Sequence, residues 1–339
     1  ALSRFYQHLE NPDGAAPHNR WFELARTAME VARDGSREAP LIAMTKTEAQ
    51  IYLKSKDYSA VGSIYQTSDD YPFSILIQGQ RPGELQHTLH FDLSSVYRAA
   101  AQRFKNPSAN AQVFSPVALI GYLAQPQHND TAAQTAIGSF LSTEGRLDEA
   151  TSWLTSAALS GNTIANVILA RIYTHRSQTA DSEETRQRAL DEVLDNYLTA
   201  IALGSTDAMY GLGLLYLNGL YGRENEESGM SLLTQAAAGD HPDSAIYLAH
   251  LYYTGQGISR DLGKARTYYA QAAALGSPSA QRSYARFLLD RETAQEADTR
   301  AIGWLEELAR DTDAEAMVLL GNFHARGIAV SQSNRRALN

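Results

Sequence analysis

Few residues of this chain stand where chemistry could be done. His87 and His90 lie three apart, a spacing that on a helix would put two imidazoles on one face for a metal. No third ligand lies within sequence reach, so the pair reads as exposed helix histidines. Gly255-Gln-Gly257 has the look of a phosphate loop but lacks the third glycine and a preceding strand. Gly211-Leu-Gly213 reads as the small face of a helix. The pairs Glu183-Glu184 and Glu306-Glu307 are adjacent, so on a helix their carboxylates diverge instead of facing one reacting atom. There is no G-x-S-x-G, no H-E-x-x-H and no P-loop, and the absence of cysteine removes thiol catalysis and Cys-ligated zinc. The sequence therefore points away from an enzyme, with no catalytic residue, no metal site and no cofactor implied.

What remains is binding, and the elements that would position it come from a repeat. Ala208, Leu212, Gly213 and Tyr216 recur 36 residues on as Ser244, Leu248, Ala249 and Tyr252. The same step gives Ala280, Tyr284, Ala285 and Leu288, then Ala316, Leu320, Gly321 and His324. An earlier copy, Ala165, Leu169, Ala170 and Tyr173, sits 43 residues before the first, with the extra length in the polar stretch from Thr174 to Gln187. A second half-motif precedes each linking residue, as Ala150, Trp153, Leu154, Ala157 and Ala158 do Gly161. Ala265, Tyr268, Tyr269, Ala272 and Ala273 precede Gly276 at the same offsets, and Ala301, Trp304, Leu305, Leu308 and Ala309 precede Thr312. Spacings of three and four share one helical face, so each unit is a helix pair. The first helix carries bulky aromatics and the second small residues, which lets backbones approach while rings fill the groove beside them. Asp240 and Thr312 stand where other copies have the linking glycine.

The run Leu248-Ala249-His-Leu-Tyr252-Tyr-Thr-Gly255-Gln-Gly257-Ile258-Ser-Arg-Asp261-Leu-Gly-Lys264-Ala265, followed by Tyr268, Tyr269, Ala272, Ala273 and Gly276, resembles the Sel1-like repeat, a tetratricopeptide relative. The resemblance extends from about Ala118 to Gly327. It implies an all-α fold, a right-handed α/α superhelical solenoid whose units bury their apolar stripes on one another. It also implies protein partners in a multi-protein assembly. One kind of Sel1-like protein is a periplasmic scaffold at the outer membrane in alginate secretion, and the Ala-, Tyr- and Arg-rich repeats are similar to that kind. A periplasmic or outer-membrane-associated location is the matching expectation, with a cytoplasmic one the alternative. The resemblance leaves two further functions open: the superhelical part of a larger enzyme such as a lytic transglycosylase, or a glycan-binding groove.

The domain plan reads as an N-terminal arm at 1–19, an irregular tetratricopeptide-like helical region at 20–108, the array at 109–327 and the start of a further repeat at 328–339. Within the irregular region, Arg20 to Arg33 and Leu41 to Leu53 read as a helix pair, and Val61, Ile64 and Tyr65 as a helix after the turn Lys56-Asp57-Tyr58. Phe73 to Ile77 is apolar enough for a short strand, while Leu85, Leu89, Leu93, Val96 and Ala100 predict a helix over Glu84 to Phe104. Ala337 falls where the next first helix would start, so the array is expected to continue or be covered by a partner.

If first helices line the concave side, their polar positions meet the partner. Those are Glu149, Ser156, Glu192, Thr199, Gln235, Lys264, Gln271, Arg300 and Glu307. The aromatic stripe of Trp153, Tyr197, Tyr268, Tyr269 and Trp304 reads as core. A net charge of −9 argues against nucleic acid, whose phosphates draw basic surfaces, and against polyanionic glycans. No run of the chain reaches the ~18 apolar residues a membrane-spanning helix needs.

Overall fold

The computed structural model describes residues 33, 35–36, 40–43, 45–68, 70–95, 116–125, 127–221, 225–290, 298–310 and 312–326. The arm at 1–19, almost all of the first expected helix and the start of a further repeat at 328–339 lie outside them. The chain divides into two compact units, Ala1–Ser205 and Thr206–Asn339.

The first unit joins a small sheet to helices. Strands β1 (Leu41–Ile42), β2 (Ser59–Gln66), β3 (Ser74–Gln80) and β4 (His87–Asp92) lie in the order β1-β4-β3-β2. β2 and β4 both run antiparallel to β3, and β1 runs parallel to β4. Helix α1 (Lys46–Ser55), capped by Thr45, packs Ala49 and Leu53 against Ile75, Ile77 and Phe91. The remaining helices are α2 (Pro116–Leu123), α3 (Thr131–Thr143), α4 (Leu147–Leu159), α5 (Thr163–Gln178) and α6 (Glu183–Ala202).

This sheet corrects two helix expectations. Val61, Ile64 and Tyr65 lie in β2, where Ser63 and Tyr65 are buried on alternate positions. β-branched side chains suit a pleated strand better than a helix interior. The first part of the expected helix over Glu84 to Phe104 contains β4 instead, and 96–104 lies outside the described residues. Its leucines recur every four residues, and four is a multiple of the strand period as well as near one helical turn. Leu89, Phe91 and Leu93 therefore share the core side of a strand. Leu41 to Leu53 divides too, since Leu41 and Ile42 pair with β4 and the helix starts only at Lys46. The apolar run from Phe73 to Ile77 meets its strand in β3.

Asn162, the N-cap of α5, joins the sheet to the helices. Its Oδ1 accepts from the Ser63 N–H at 3.3 Å and from the Ile164 N–H at 3.2 Å, while its Nδ2 donates to the Ser63 carbonyl at 2.7 Å. One side chain thus pairs the outer edge of β2 as a neighbouring strand would. That removes an exposed edge able to recruit another chain.

The second unit comprises α7 (Thr206–Leu217), α8 (Glu226–Ala238), α9 (Pro242–Thr254), α10 (Leu262–Ala274), α11 (Pro278–Leu289), α12 (Thr299–Arg310) and α13 (Ala314–Arg326). Each helix packs on the next. The expected division of sizes holds: Ala245, Ala249, Ala265, Ala272 and Ala273 are fully buried, and Tyr269 and Tyr284 fill the spaces between helices. Close approach is strict between α7 and α8, where a Cβ on Gly229 would lie 2.9 Å from the Gly213 carbonyl oxygen. The linking turns are left-handed throughout the array. Gly276 has φ +84°, and Asp240 and Thr312 adopt φ 59° and 67° at the equivalent position. The repeat region is the all-helical solenoid expected, with the sheet as an addition.

Candidate functional site

The second helices of the sequence-defined pairs line a groove in the second unit. On α9, Asp243, Ile246, Tyr247, His250 and Tyr253 fall at steps of three and four and so form one stripe. Ser283, Arg286, Phe287 and Asp290 make the matching stripe on α11, Tyr210 of α7 closes one side, and Tyr269 of α10 lies beneath. The groove has a volume of about 560 Å³. That is within the ~300–1,000 Å³ typical of ligand pockets.

Its walls are mixed in chemistry. Phe287 and Tyr269 are buried and form the floor; burial raises the Tyr269 pKa, keeping its hydroxyl neutral. The Tyr253 hydroxyl donates to Asp290 Oδ2 at 2.5 Å, linking α9 to α11. Arg286 is held by Glu315 of α13, whose other carboxylate oxygen takes Arg282 Nε at 3.1 Å; Arg282 also reaches Asp313 at 2.5 Å. The Tyr210 ring lies on His241 at 4.7 Å between centroids, and His241 Nε2 sits 3.2 Å from Asp207. The arrangement offers aromatic faces, carboxylates and a compensated arginine along one trough. It suits binding.

The nine polar positions named from the sequence lie elsewhere. They occupy α4, α6, α8, α10 and α12, one or two to a helix, and none lines the groove. All are exposed except Gln271, which is half-buried and donates from Nε2 to the Ala237 carbonyl at 2.7 Å, tying α10 to α8. Glu149 pairs with Arg146 at 2.6 Å, and the hydrogen bond from that guanidinium lowers its pKa. Arg300 forks onto Asp298 at 2.7 and 3.0 Å and lies 5.8 Å from the Trp304 ring centroid. Lys264 Nζ sits 5.0 Å over Tyr252. Gln235 donates to Ser231 at 3.1 Å, Thr199 to the Asp195 carbonyl at 2.7 Å, and the Asn196 amide to the Glu192 carbonyl at 2.8 Å. The carbonyl of Ser156 accepts from Ser160 at 3.1 Å, and Glu307 is exposed on α12.

The histidine pair is separated by its strand. His87 and His90 lie on β4, where residues three apart point to opposite faces, so one metal cannot take both. His87 instead meets the Tyr58 ring at 5.5 Å. Trp153, Tyr197, Tyr268, Tyr269 and Trp304 are buried or packed against core clusters, as their repeat positions imply. The signal for the groove was Tyr247. The other copies carry Ile168, Gly211, Ser283 and Leu319 at that position, so Tyr247 alone among them brings a phenolic ring there, half-buried against the core that α8, α9 and α10 share.

The Sel1 repeat model matches residues 206–241, 242–277 and 314–339. The chain therefore carries Sel1 repeats, and the first two matches begin on the groove-lining helices α7 and α9. The interval 278–313 between matches is itself one period of 36. Among solved structures, the chain is similar to the Sel1 repeat protein from Oxalobacter formigenes, at 20% identity and a TM-score of 0.48, covering 71% of this chain and 95% of that one. It is also similar to c5321, a protective antigen of uropathogenic Escherichia coli strains with an SLR fold, at 17% identity and a TM-score of 0.36, covering 72% of this chain and 67% of that one. No curated protein matches the chain.

Proposed function

We propose that this protein is a non-enzymatic scaffold that holds a partner protein in the groove between α7, α9 and α11. Sel1 repeats generally mediate protein–protein interaction. The observation that carries the reading is the α9 stripe, in which Tyr247 brings a half-buried aromatic ring to the groove lining where the other copies carry Ile168, Gly211, Ser283 and Leu319. Half-buried aromatics beside a buried floor are what interface hot spots are made of. The competing surface is the polar column on α4, α6, α8, α10 and α12, most of whose members are engaged in bonds within the chain.

A photo-crosslinking residue placed at Tyr247 and, separately, at Lys264 separates the two in cells of the native host. A defined protein adduct from position 247 and none from 264 is the expected result. Adducts only from 264 would transfer the function to the column and refute the groove. The finer setting we propose, a bacterial envelope assembly for polysaccharide secretion in the periplasm, rests on the sequence resemblance. Cell fractionation tests the compartment, and a cytosolic protein would end that reading.

A further inference from the structure

We infer that the segment seated in this groove carries an arginine or lysine side chain, received by Asp243 in the stretch of the groove lined by Tyr210 and Tyr247. The inference rests on the groove being the docking site. Asp243 and Tyr247 are four apart on α9 and share its groove-lining face, Asp243 exposed and Tyr247 half-buried, and Tyr210 lines the groove from α7. Among the described residues, no cation pairs with the Asp243 carboxylate, and it is exposed. The only arginine lining the groove, Arg286, is already engaged by Glu315, so an acidic ligand would have to break that pair to reach it.

The second acid of the lining, Asp290, adds negative charge at the other end of the trough. Counted as formal charges with His250 neutral, Asp243 and Asp290 stand against a compensated Arg286. A cationic side chain gains the carboxylate and the edge or face that the half-buried tyrosines leave toward the groove. An acidic or purely apolar segment gains neither.

The test is an array of immobilised dodecapeptides, random at every position, probed with the full chain and with two variants. Tyr247→Ser removes a half-buried ring that packs on the core beside Leu248, so circular dichroism and thermal melting are used to select conditions in which the variant is folded. Asp243→Asn removes charge and keeps shape. Retained peptides should be enriched in Arg and Lys over Asp and Glu. Tyr247→Ser should abolish retention, and Asp243→Asn should weaken the basic peptides about tenfold, as losing one charge-assisted contact does. Peptides lost with Tyr247→Ser but showing no basic enrichment, or unmoved by Asp243→Asn, overturn this inference and leave the groove as a docking site. Peptides indifferent to Tyr247→Ser, or no retained peptide at all, overturn the groove reading and this inference with it.

Discussion

Thr312 offers a direct measurement of what the repeat demands of its turns. It sits at φ 67° in the link between α12 and α13, where its N–H donates to the Ala309 carbonyl and Asp313 N–H to the Leu308 carbonyl. Gly276 closes the preceding link with the same bond to Ala273, at φ +84°. A left-handed conformation costs an L-residue ~1–2 kcal/mol, and a β-branched side chain sits badly there. Glycine removes that cost but restores ~0.4–1 kcal/mol of unfolded-chain entropy. Thr312→Gly should therefore stabilise the second unit by about 0.5–1 kcal/mol. With a urea m-value of ~2 kcal/mol/M, the midpoint rises by about 0.3–0.5 M. The assay is urea unfolding followed by Trp304 fluorescence with Trp21 and Trp153 replaced by Phe. Gly276→Ala is the reciprocal control. An added Cβ there meets nothing within 4 Å, so any loss is backbone strain alone, expected at about 1 kcal/mol. An unchanged or lower midpoint for Thr312→Gly, with a normal loss for Gly276→Ala, would refute the reasoning.

Asn162→Ala deletes the bonds to both backbone groups of Ser63 and the cap of α5, leaving a buried N–H unsatisfied. A loss of about 2–4 kcal/mol is expected in chemical unfolding, and a loss under ~1 kcal/mol would mean the sheet does not depend on this link. Asn162→Asp keeps the cap acceptor but sets an oxygen against the Ser63 carbonyl, so it should rescue little. Asp298 is held at about 2, first by the hydrogen bond from Arg300 and also by the Tyr284 hydroxyl. That lies below the ~3.9 of an unfolded aspartate, so the stabilisation is complete above pH ~4 and is lost as pH falls toward 2. Asp298→Asn should flatten melting temperature against pH in that window, and parallel curves for variant and parent would contradict it.

The helical array was legible because its constraint is repeated. A 36-residue step with Ala or Gly at fixed places, and Tyr, Trp or Leu opposite, leaves one packing solution, and the chain adopts it. The sheet was not legible because its signals are single and ambiguous. Leu85, Leu89 and Leu93 satisfy a helix and a strand alike, and only pairing with β3, a long-range fact, decides between them. The groove was missed for a third reason. Which helix of a pair turns inward is a property of the stack, and no one sequence segment encodes it. What the sequence does encode is a difference between copies, a Tyr247 where its siblings are Ile168, Gly211, Ser283 and Leu319.

The residue after each linking turn shows how a repeat acquires individuality without losing its fold. Asn162, His241, Ser277 and Asp313 all follow the left-handed residue, and each accepts a backbone N–H from the first turn of the next helix. That duty needs only one acceptor atom, so the repeat tolerates four chemistries there. The atom left over is then available for other work. Asn162 gives its Nδ2 to the edge of β2, His241 turns Nε2 to Asp207 at 3.2 Å, and Asp313 turns Oδ2 to Arg282 at 2.5 Å. Arg282 and Arg286 are in turn bound to Glu315, so the cap of α13 and the charge state of the groove belong to one network. A position that looks unconserved between copies is thus the one at which the array attaches its sheet and tunes its binding face.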